Sequence, residues 1–467
     1  MNHLKNMTIG HVAAFLLAAA CFQLTNCTGE EIVVQHIEES AQRSISFSPL
    51  TKNALNTRSS IVGLNKSTMT DFEVWAWRPT DGSNVVNHMG EPSDGIRIIK
   101  KSTDREGGTY HPISNDGITP ETWGWGYADD NEWAYWGKDI DEEFQFIAIS
   151  PAHDVDVVKT TNKTDVTYQN INFPANQAQG QFTYTAGTNT DINNSTQRDI
   201  LVSAKKQGYS TTGGVVQMEF SHALSQIVFD VNVPVEFHKT GASAKDDEFY
   251  IHSIKLCNIK NKGICTLTPN ATGTLIDNSK QIDLDHNCVN WTITNDATEE
   301  DYFIQAPRTG TNNSYASITW SKTTGFGSGV TTAISTQEDG DNIMIIPQTL
   351  TPWNPSDNYS TEDSKYHFES VNGAYVIIDM TWRKYNTSSK VWEYEFGLSP
   401  DAGTDIYAPF KKSDGSSFTF EPGKKYTITI KLGRGYSNEG SSTQDITFTI
   451  SGIDSWTAGE SQPDPNL

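Results

Sequence analysis

Threonine is far more frequent than leucine in this sequence. This reversal of the usual composition constrains the fold more than any motif does. The chain contains 52 Thr and 17 Leu among its 467 residues, whereas leucine is normally among the commonest residues of soluble domains. Threonine is β-branched and suits a pleated strand, whereas leucine is a strong helix former. The composition therefore predicts an all-β protein and argues against helical bundles, α/β barrels and doubly wound nucleotide-binding folds.

Two segments near the C-terminus show the alternation that is typical of half-buried strands. Residues 425–432 read KYTITIKL, and residues 446–450 read ITFTI. A period of two directs one face of a strand to a core and the other face to water. We therefore predict two sets of inward-facing side chains, which are Tyr426, Ile428 and Ile430 on the first strand and Ile446, Phe448 and Ile450 on the second.

The length of the chain and the position of its polar stretches predict two domains. The 467 residues are enough for two β-sandwich domains of roughly 160 to 250 residues each. Residues 176–198 and 205–214 are polar and rich in turn-forming residues, so neither offers enough apolar surface to offset the entropy of ordering. We therefore expect an N-terminal β-sandwich over residues 59–210 and a C-terminal β-sandwich over residues 211–467.

The first 27 residues have the features of an export signal. Residues 9–20 (IGHVAAFLLAAA) are apolar, but they are too few to span a hydrocarbon core of about 30 Å as a helix. Cys27 follows Leu24 at the spacing of a bacterial lipobox, whereas Cys21 follows small residues without a Leu at that position. We predict a lipoprotein signal over residues 1–27 that ends at a lipidated Cys27. Lipidation at Cys21, or ordinary cleavage to a soluble mature chain, is the alternative.

The remaining three cysteines do not form the pattern of a disulfide framework or of a zinc site. Cys257 and Cys265 flank Asn261-Lys262-Gly263, which is a hairpin-turn signal, and Cys288 follows further along. Whether the first two face each other would depend on the strand register. Their odd number and the absence of a Cys-x-x-Cys pair indicate buried free thiols.

Charge and motif content argue against several functional classes. The formal net charge of −23 repels phosphate and anionic lipid headgroups, so we expect neither nucleic-acid binding nor peripheral membrane binding through basic patches. The sequence lacks a Gly-x-Ser-x-Gly elbow, a His-Glu-x-x-His motif and a Walker loop. His222 stands in an apolar context and is expected to be structural. We predict no catalytic, cofactor-binding or metal-binding residues.

One aromatic segment could bind a ligand. Residues 121–136 (ETWGWGYADDNEWAYW) contain four tryptophans, and exposed aromatic rings can stack on the apolar faces of sugars. Trp123 and Trp125 are therefore candidate glycan contacts. The alternative is that these rings fill the core of a sandwich that is poor in leucine.

Several short segments together resemble the fimbrillins of Bacteroidetes, including their minor and tip-type members. They occur in the order found in that family and extend over nearly the whole mature chain. One departure is Gly137, which follows Trp136 where the family pattern leads us to expect proline. The segments are residues 71–77 (DFEVWAW), 133–136 (WAYW), 144–151 (FQFIAISP), 199–202 (DILV), 220–227 (FSHALSQI), 346–350 (IPQTL), 422–426 (PGKKY) and 453–456 (IDSW).

The resemblance implies a structural and adhesive subunit of fimbriae rather than an enzyme. It implies two β-sandwich domains of transthyretin-like topology and export to the outer-membrane surface through a lipid anchor. Residues 28–58 would form a pro-segment with a removable first strand, and an Arg-specific protease would cut after Arg58 or, alternatively, after Arg43. The opened groove would accept a strand from a neighbouring subunit.

The expected partners are thus other fimbrial subunits and a receptor on a host or bacterial surface. The competing hypothesis is a surface glycan-binding lipoprotein of a polysaccharide-uptake system.

Overall fold

The computed structural model confirms an all-β protein. It describes residues 45–51, 69, 71–79, 85–102, 123–128, 134, 143–152, 168–173, 180–188, 197–208, 215–267, 289–305, 308–309, 314–315, 317–319, 343–437, 440–441 and 446–455. Within these ranges the only helical segments are short 3₁₀ turns at Val235–Phe237 and Pro355–Asn358. None of the described segments is a helix with the length and apolar character needed to cross a bilayer.

The strands, numbered along the chain, are β1 Ser46–Thr51, β2 Asp71–Pro79, β3 Val85–Met89, β4 Ile96–Ser102, β5 Trp123–Tyr127, β6 Glu143–Ser150, β7 Tyr168–Asn172, β8 Gly180–Thr185, β9 Leu201–Gly208, β10 Val215–His222, β11 Ser225–Asn232, β12 Glu248–Lys260, β13 Lys262–Leu267, β14 Val289–Ile293, β15 Glu299–Gln305, β16 Arg308–Thr309, β17 Ser314–Tyr315, β18 Ile343–Ile345, β19 Tyr359–Ser360, β20 Lys365–Tyr366, β21 Tyr375–Asn386, β22 Val391–Phe396, β23 Thr404–Pro409, β24 Lys424–Lys431, β25 Tyr436–Ser437, β26 Gly440–Ser441 and β27 Thr447–Ser455.

These strands form four principal sheets. Sheet A has the order β1-β10-β9-β6-β2-β4-β5, with β3 paired to β2, and sheet B has the order β14-β13-β8-β7. Sheet C has the order β15-β12-β21-β23-β25-β26, with β22 paired to β21, and sheet D has the order β18-β11-β24-β27. Two small hairpins, β16–β17 and β19–β20, complete the described pairing.

Strands β2, β6 and β9 of sheet A are buried on both of their faces. On strand β2, Trp75 and Trp77 point toward sheet B and share a core with Phe182, whereas Phe72 and Val74 belong to a separate core on the opposite face. Side chains alternate between the two faces of a strand. A strand with two buried faces therefore reads as a nearly continuous apolar run, as this one does.

Sheets C and D pack against each other around the largest core. The inward-facing side chains predicted for β24 and β27 lie in it: Tyr426, Ile428, Ile430, Ile446 and Phe448 are buried, and Ile450 is half-buried and packs against the same cluster. The predicted alternation on both strands is confirmed. Burial of one side-chain parity on each of two paired strands fixes their register, because a slip of one residue would turn the apolar set outward.

The chain passes three times between the sandwich of sheets A and B and the sandwich of sheets C and D within the described residues. Residues 223–224 connect β10 in sheet A to β11 in sheet D, Asn261 connects β12 in sheet C to β13 in sheet B, and residues 294–298 connect β14 to β15. The predicted boundary at residue 210 falls between β9 and β10, which are neighbours in sheet A. Sheets A and B thus include strands beyond residues 59–210.

The hairpin predicted at Asn261-Lys262-Gly263 is wrong. Strand β12 pairs with β15 and β21, whereas β13 pairs with β8 and β14. A turn signal is local and does not determine which strands pair across it, so the same residues can serve as a crossover. Cys257 and Cys265 consequently lie in different sheets, and both are buried free thiols, as expected. Cys288 lies outside the described residues.

A buried carboxyl group in the C-terminal sandwich gives a pH-dependent prediction. The side chain of Asp247 is 1% exposed and accepts a hydrogen bond of 3.1 Å from the indole N–H of Trp382. Burial raises the pKa of the Asp247 carboxyl above its usual value, although the ammonium group of Lys239 opposes this shift. Ionisation of Asp247 therefore costs the folded state more than the unfolded state.

We expect Asp247→Asn to raise the melting temperature at neutral pH. The destabilisation of the wild-type protein is absent below the unfolded-state pKa, develops as the pH rises, and is complete above the raised folded-state pKa. The melting temperatures of Asp247→Asn and wild type should therefore converge as the pH falls to about 3, where most carboxyl groups are protonated. Thermal melts of both proteins at pH values from about 3 to about 8 measure this difference in melting temperature. Melting temperatures of Asp247→Asn and wild type that differ by the same amount at every pH would contradict the assignment.

Candidate functional site

Strand β1, at one end of sheet A, lies between β10, its neighbour in the sheet, and β5 at the other end. It pairs in parallel with β10, from Ser46 opposite Val215 to Thr51 opposite Phe220. Its other side lies against β5, the strand at the opposite end of the sheet order. Sheet A therefore curls around the core that lies on its face away from sheet B. Strand β1 occupies the space between β10 and β5. We call the space that β1 fills the β1 groove.

The backbone of Ile45 is held from the side opposite β10. Its N–H donates a hydrogen bond of 2.9 Å to the carbonyl oxygen of Ala134, and its carbonyl oxygen accepts one of 2.8 Å from the hydroxyl of Tyr127. Tyr127 is itself buried. Pro49 lies an even number of residues after Ile45, so its backbone also faces the side of β1 away from β10. Because proline has no N–H, it leaves no unpaired donor on that side.

Phe47 is the main apolar anchor of β1. Its ring is 2% exposed and makes edge-to-face contacts with Phe72, Tyr127 and Phe146, at centroid distances of 5.9, 6.3 and 6.1 Å. Contacts of this geometry stabilise aromatic pairs beyond the area that they bury. The anchor comes from the N-terminal strand, whereas its three partners come from β2, β5 and β6.

The floor of the β1 groove is apolar. Val216, Met218 and Phe220 from β10 lie buried in the same core as Phe47. Without β1, this surface would face water, and the N–H and C=O groups along one edge of β10 would lose their ladder partners. Both changes are unfavourable, because apolar exposure and unpaired backbone groups each cost free energy.

The structure places only some of the residues that sequence analysis selected. Cys27, Arg43 and Arg58 lie outside the described residues, so lipidation and cleavage stay predictions. Trp123 begins β5, but its side chain lies outside the described part of the structure. Trp125 is half-buried and packs at the rim of the core that contains Phe47, with its ring centroid 5.4 Å from that of Phe72. Its role in glycan contact stays a prediction.

The expected structural histidine lies at the end of β10, beyond the residues that pair with β1. His222 ends β10, where its Nδ1 atom lies 2.7 Å from a carboxylate oxygen of Asp199, and both side chains are 1% exposed. Sequence reasoning did not single out Tyr127 or Ala134 as functional residues. Both belong to the aromatic segment 121–136, but contacts with residues some eighty positions earlier leave no local signal.

Comparisons with known proteins give the family of the chain. No curated protein matches it. Among solved structures it is similar to a fimbrial protein from Bacteroides vulgatus, with 16% identity, a TM-score of 0.46, and coverage of 89% of this chain and 100% of that chain. It is also similar to a candidate cell adhesion protein from Bacteroides uniformis, with 9% identity, a TM-score of 0.36, and coverage of 89% and 98%. The model of the fimbrillin-like family matches residues 84–456, well over half of the sequence, and the chain belongs to this family.

Proposed function

We propose that this protein is a structural and adhesive subunit of cell-surface fimbriae, and that a strand from a neighbouring subunit replaces β1. The observation that carries the proposal is the way β1 is held. Its described contacts are a parallel ladder with β10, the ring pocket around Phe47 and two hydrogen bonds at Ile45. A strand from another chain could make the same contacts.

The position of Arg58 supports this exchange. Strand β1 ends at Thr51 and β2 begins at Asp71, so Arg58 lies in the segment between them. A cut after Arg58 would leave β1 attached to the rest of the protein by non-covalent contacts alone. Its departure would expose the β1 groove, and an incoming strand would restore both the backbone pairing and the apolar burial.

Arg58→Ala should therefore block maturation. We expect mass spectrometry of surface-extracted wild-type protein to show an N-terminus at Ser59, whereas the variant should retain residues 28–58 and fail to enter polymers. Arg43→Ala is the matched control, since cleavage at that position would leave β1 in place. A diacylated Cys27 peptide as the only N-terminal form of the wild-type protein would contradict cleavage at Arg58.

Lipidation at Cys27, which would hold the precursor at the outer membrane until the cut after Arg58, is the second part of the proposal. The acidic residues Glu30 and Glu31 follow this cysteine and resemble a surface-export signal. We expect Cys27→Ala to abolish incorporation of radiolabelled palmitate, whereas Cys21→Ala should leave it intact. The opposite pattern would move the lipidated residue to Cys21.

The proposed partners are neighbouring fimbrial subunits and a surface receptor, and no catalytic role is proposed. The glycan-binding alternative gains no support from Trp125, whose ring packs against Phe72 at the rim of the core.

A further inference from the structure

We propose that Tyr127 and the carbonyl group of Ala134 form a clamp that fixes the direction of the strand in the β1 groove. The occupant must run parallel to β10, and it must carry an apolar residue at the clamp and an aromatic residue two positions later. This inference rests on the proposed function, because it concerns the strand of a neighbouring subunit that would replace β1. It specifies which strands the groove can accept.

The clamp holds the backbone of a single residue. The N–H and C=O groups of one residue in an extended strand point to the same side. Ile45 directs both toward Ala134 and Tyr127, at 2.9 and 2.8 Å, whereas the next residue, Ser46, lies opposite Val215 of β10. The clamp therefore acts on any residue at this position through its main chain.

Reversing the strand would break this match. Along a parallel occupant the N–H comes first and meets the Ala134 carbonyl, and the C=O follows and meets the Tyr127 hydroxyl. An occupant that runs the other way presents these groups in the opposite order, so its C=O would face the Ala134 carbonyl. Two acceptors would then oppose each other in a buried site, and the loss of one buried hydrogen bond corresponds to roughly a tenfold loss of affinity.

The ring pocket fixes the register. Phe47 lies two residues after the clamped residue, and Tyr127 serves both positions, because its hydroxyl holds Ile45 while its ring contacts Phe47. A slip of one residue would direct the serine side chains of β1 into the pocket and the apolar ones outward. The groove thus combines a contact that depends on direction with one that depends on side-chain size.

Peptide exchange on the full chain tests the clamp. A specific protease site is inserted after Arg58 and cut, so that β1 stays bound without a covalent link. Three fluorescent peptides then compete for the groove: residues 43–52 (RSISFSPLTK), the same residues in reversed order, and the forward peptide with Phe47→Ala. The reversed peptide can place Ile and Phe in the same pockets with only its backbone direction changed.

We expect the forward peptide to exchange, with the reversed peptide weaker by about tenfold and the Phe47→Ala peptide weaker by about a hundredfold or more. Tyr127→Phe in the protein should lower the affinity for the forward peptide by about fivefold. It should also reduce the ratio of the affinities for the forward and the reversed peptide, because the ring stays and only the hydroxyl is lost. Tyr394→Phe, an exposed tyrosine on β22, is the control and should change neither value.

The possible failures are distinguishable. Equal exchange of forward and reversed peptides would overturn the clamp while supporting strand exchange itself. Unchanged forward affinity in Tyr127→Phe would remove the role of the hydroxyl. If none of the peptides exchanges, the groove does not accept a second strand, and the proposed function fails together with this inference.

Discussion

Ile428→Asp should abolish the cooperative melting of the sandwich formed by sheets C and D. Ile428 is 0% exposed, and its neighbours across the ladders are Phe229 of β11 and Ile450 of β27. The substitution removes a buried apolar side chain and leaves an unpaired carboxylate in its place. Together these effects cost about 5 kcal/mol or more, which approaches the total stability of a typical domain, about 5 to 15 kcal/mol.

Differential scanning calorimetry of the full chain measures this effect. The matched control is Thr449→Asp, which places the same charge on β27 at an exposed position of the same sheet. This control should melt close to the wild-type temperature. An unchanged transition in Ile428→Asp would show that β24 does not direct this parity into the core.

Phe47→Ala should release β1 without unfolding the rest of sheet A. Loss of a fully buried phenylalanine costs about 3 to 5 kcal/mol, and here that cost falls on a strand whose described ladder pairing is with β10 alone. The free energy of local opening should therefore fall by about this amount. Hydrogen exchange at the β10 amides of Val216 and Met218 should accelerate accordingly.

Exchange should change much less in the core shared by sheets A and B, for example at Phe182 of β8. Tyr394→Ala provides the control, since it removes an aromatic side chain that is 40% exposed on β22. If β10 amides exchange equally slowly in Phe47→Ala and in wild type, Phe47 does not anchor β1.

The sequence was most informative where one structural signal repeated along the chain. The excess of threonine over leucine predicted the all-β fold, and the alternation in β24 and β27 predicted which side chains are buried. Both signals are local or compositional, so they need no knowledge of strand order. Phe47 is a related case: its alternation with Ser46 and Ser48 was visible, whereas its partners on β2, β5 and β6 were not.

The errors and omissions arose where the answer depends on strand pairing. Asn261-Lys262-Gly263 has the composition of a hairpin turn, yet β12 and β13 pair in different sheets. Tyr127 and Ile45 are 82 positions apart, and nothing in either segment signals their hydrogen bond. The domain boundary expected near residue 210 stays a prediction, and the polar stretch there gives no sign that β10 pairs with β9. Sheet membership in such topologies depends on contacts between distant segments.

The three crossings between the sandwiches that lie within the described residues have a mechanical consequence. A single flexible linker would let two domains swing independently and would carry any tension through one covalent chain. Here residues 223–224, Asn261 and residues 294–298 each continue directly from a strand of one sandwich into a strand of the other. Tension along the subunit is therefore divided among three chain segments, and bending at the junction must distort several paired strands at once.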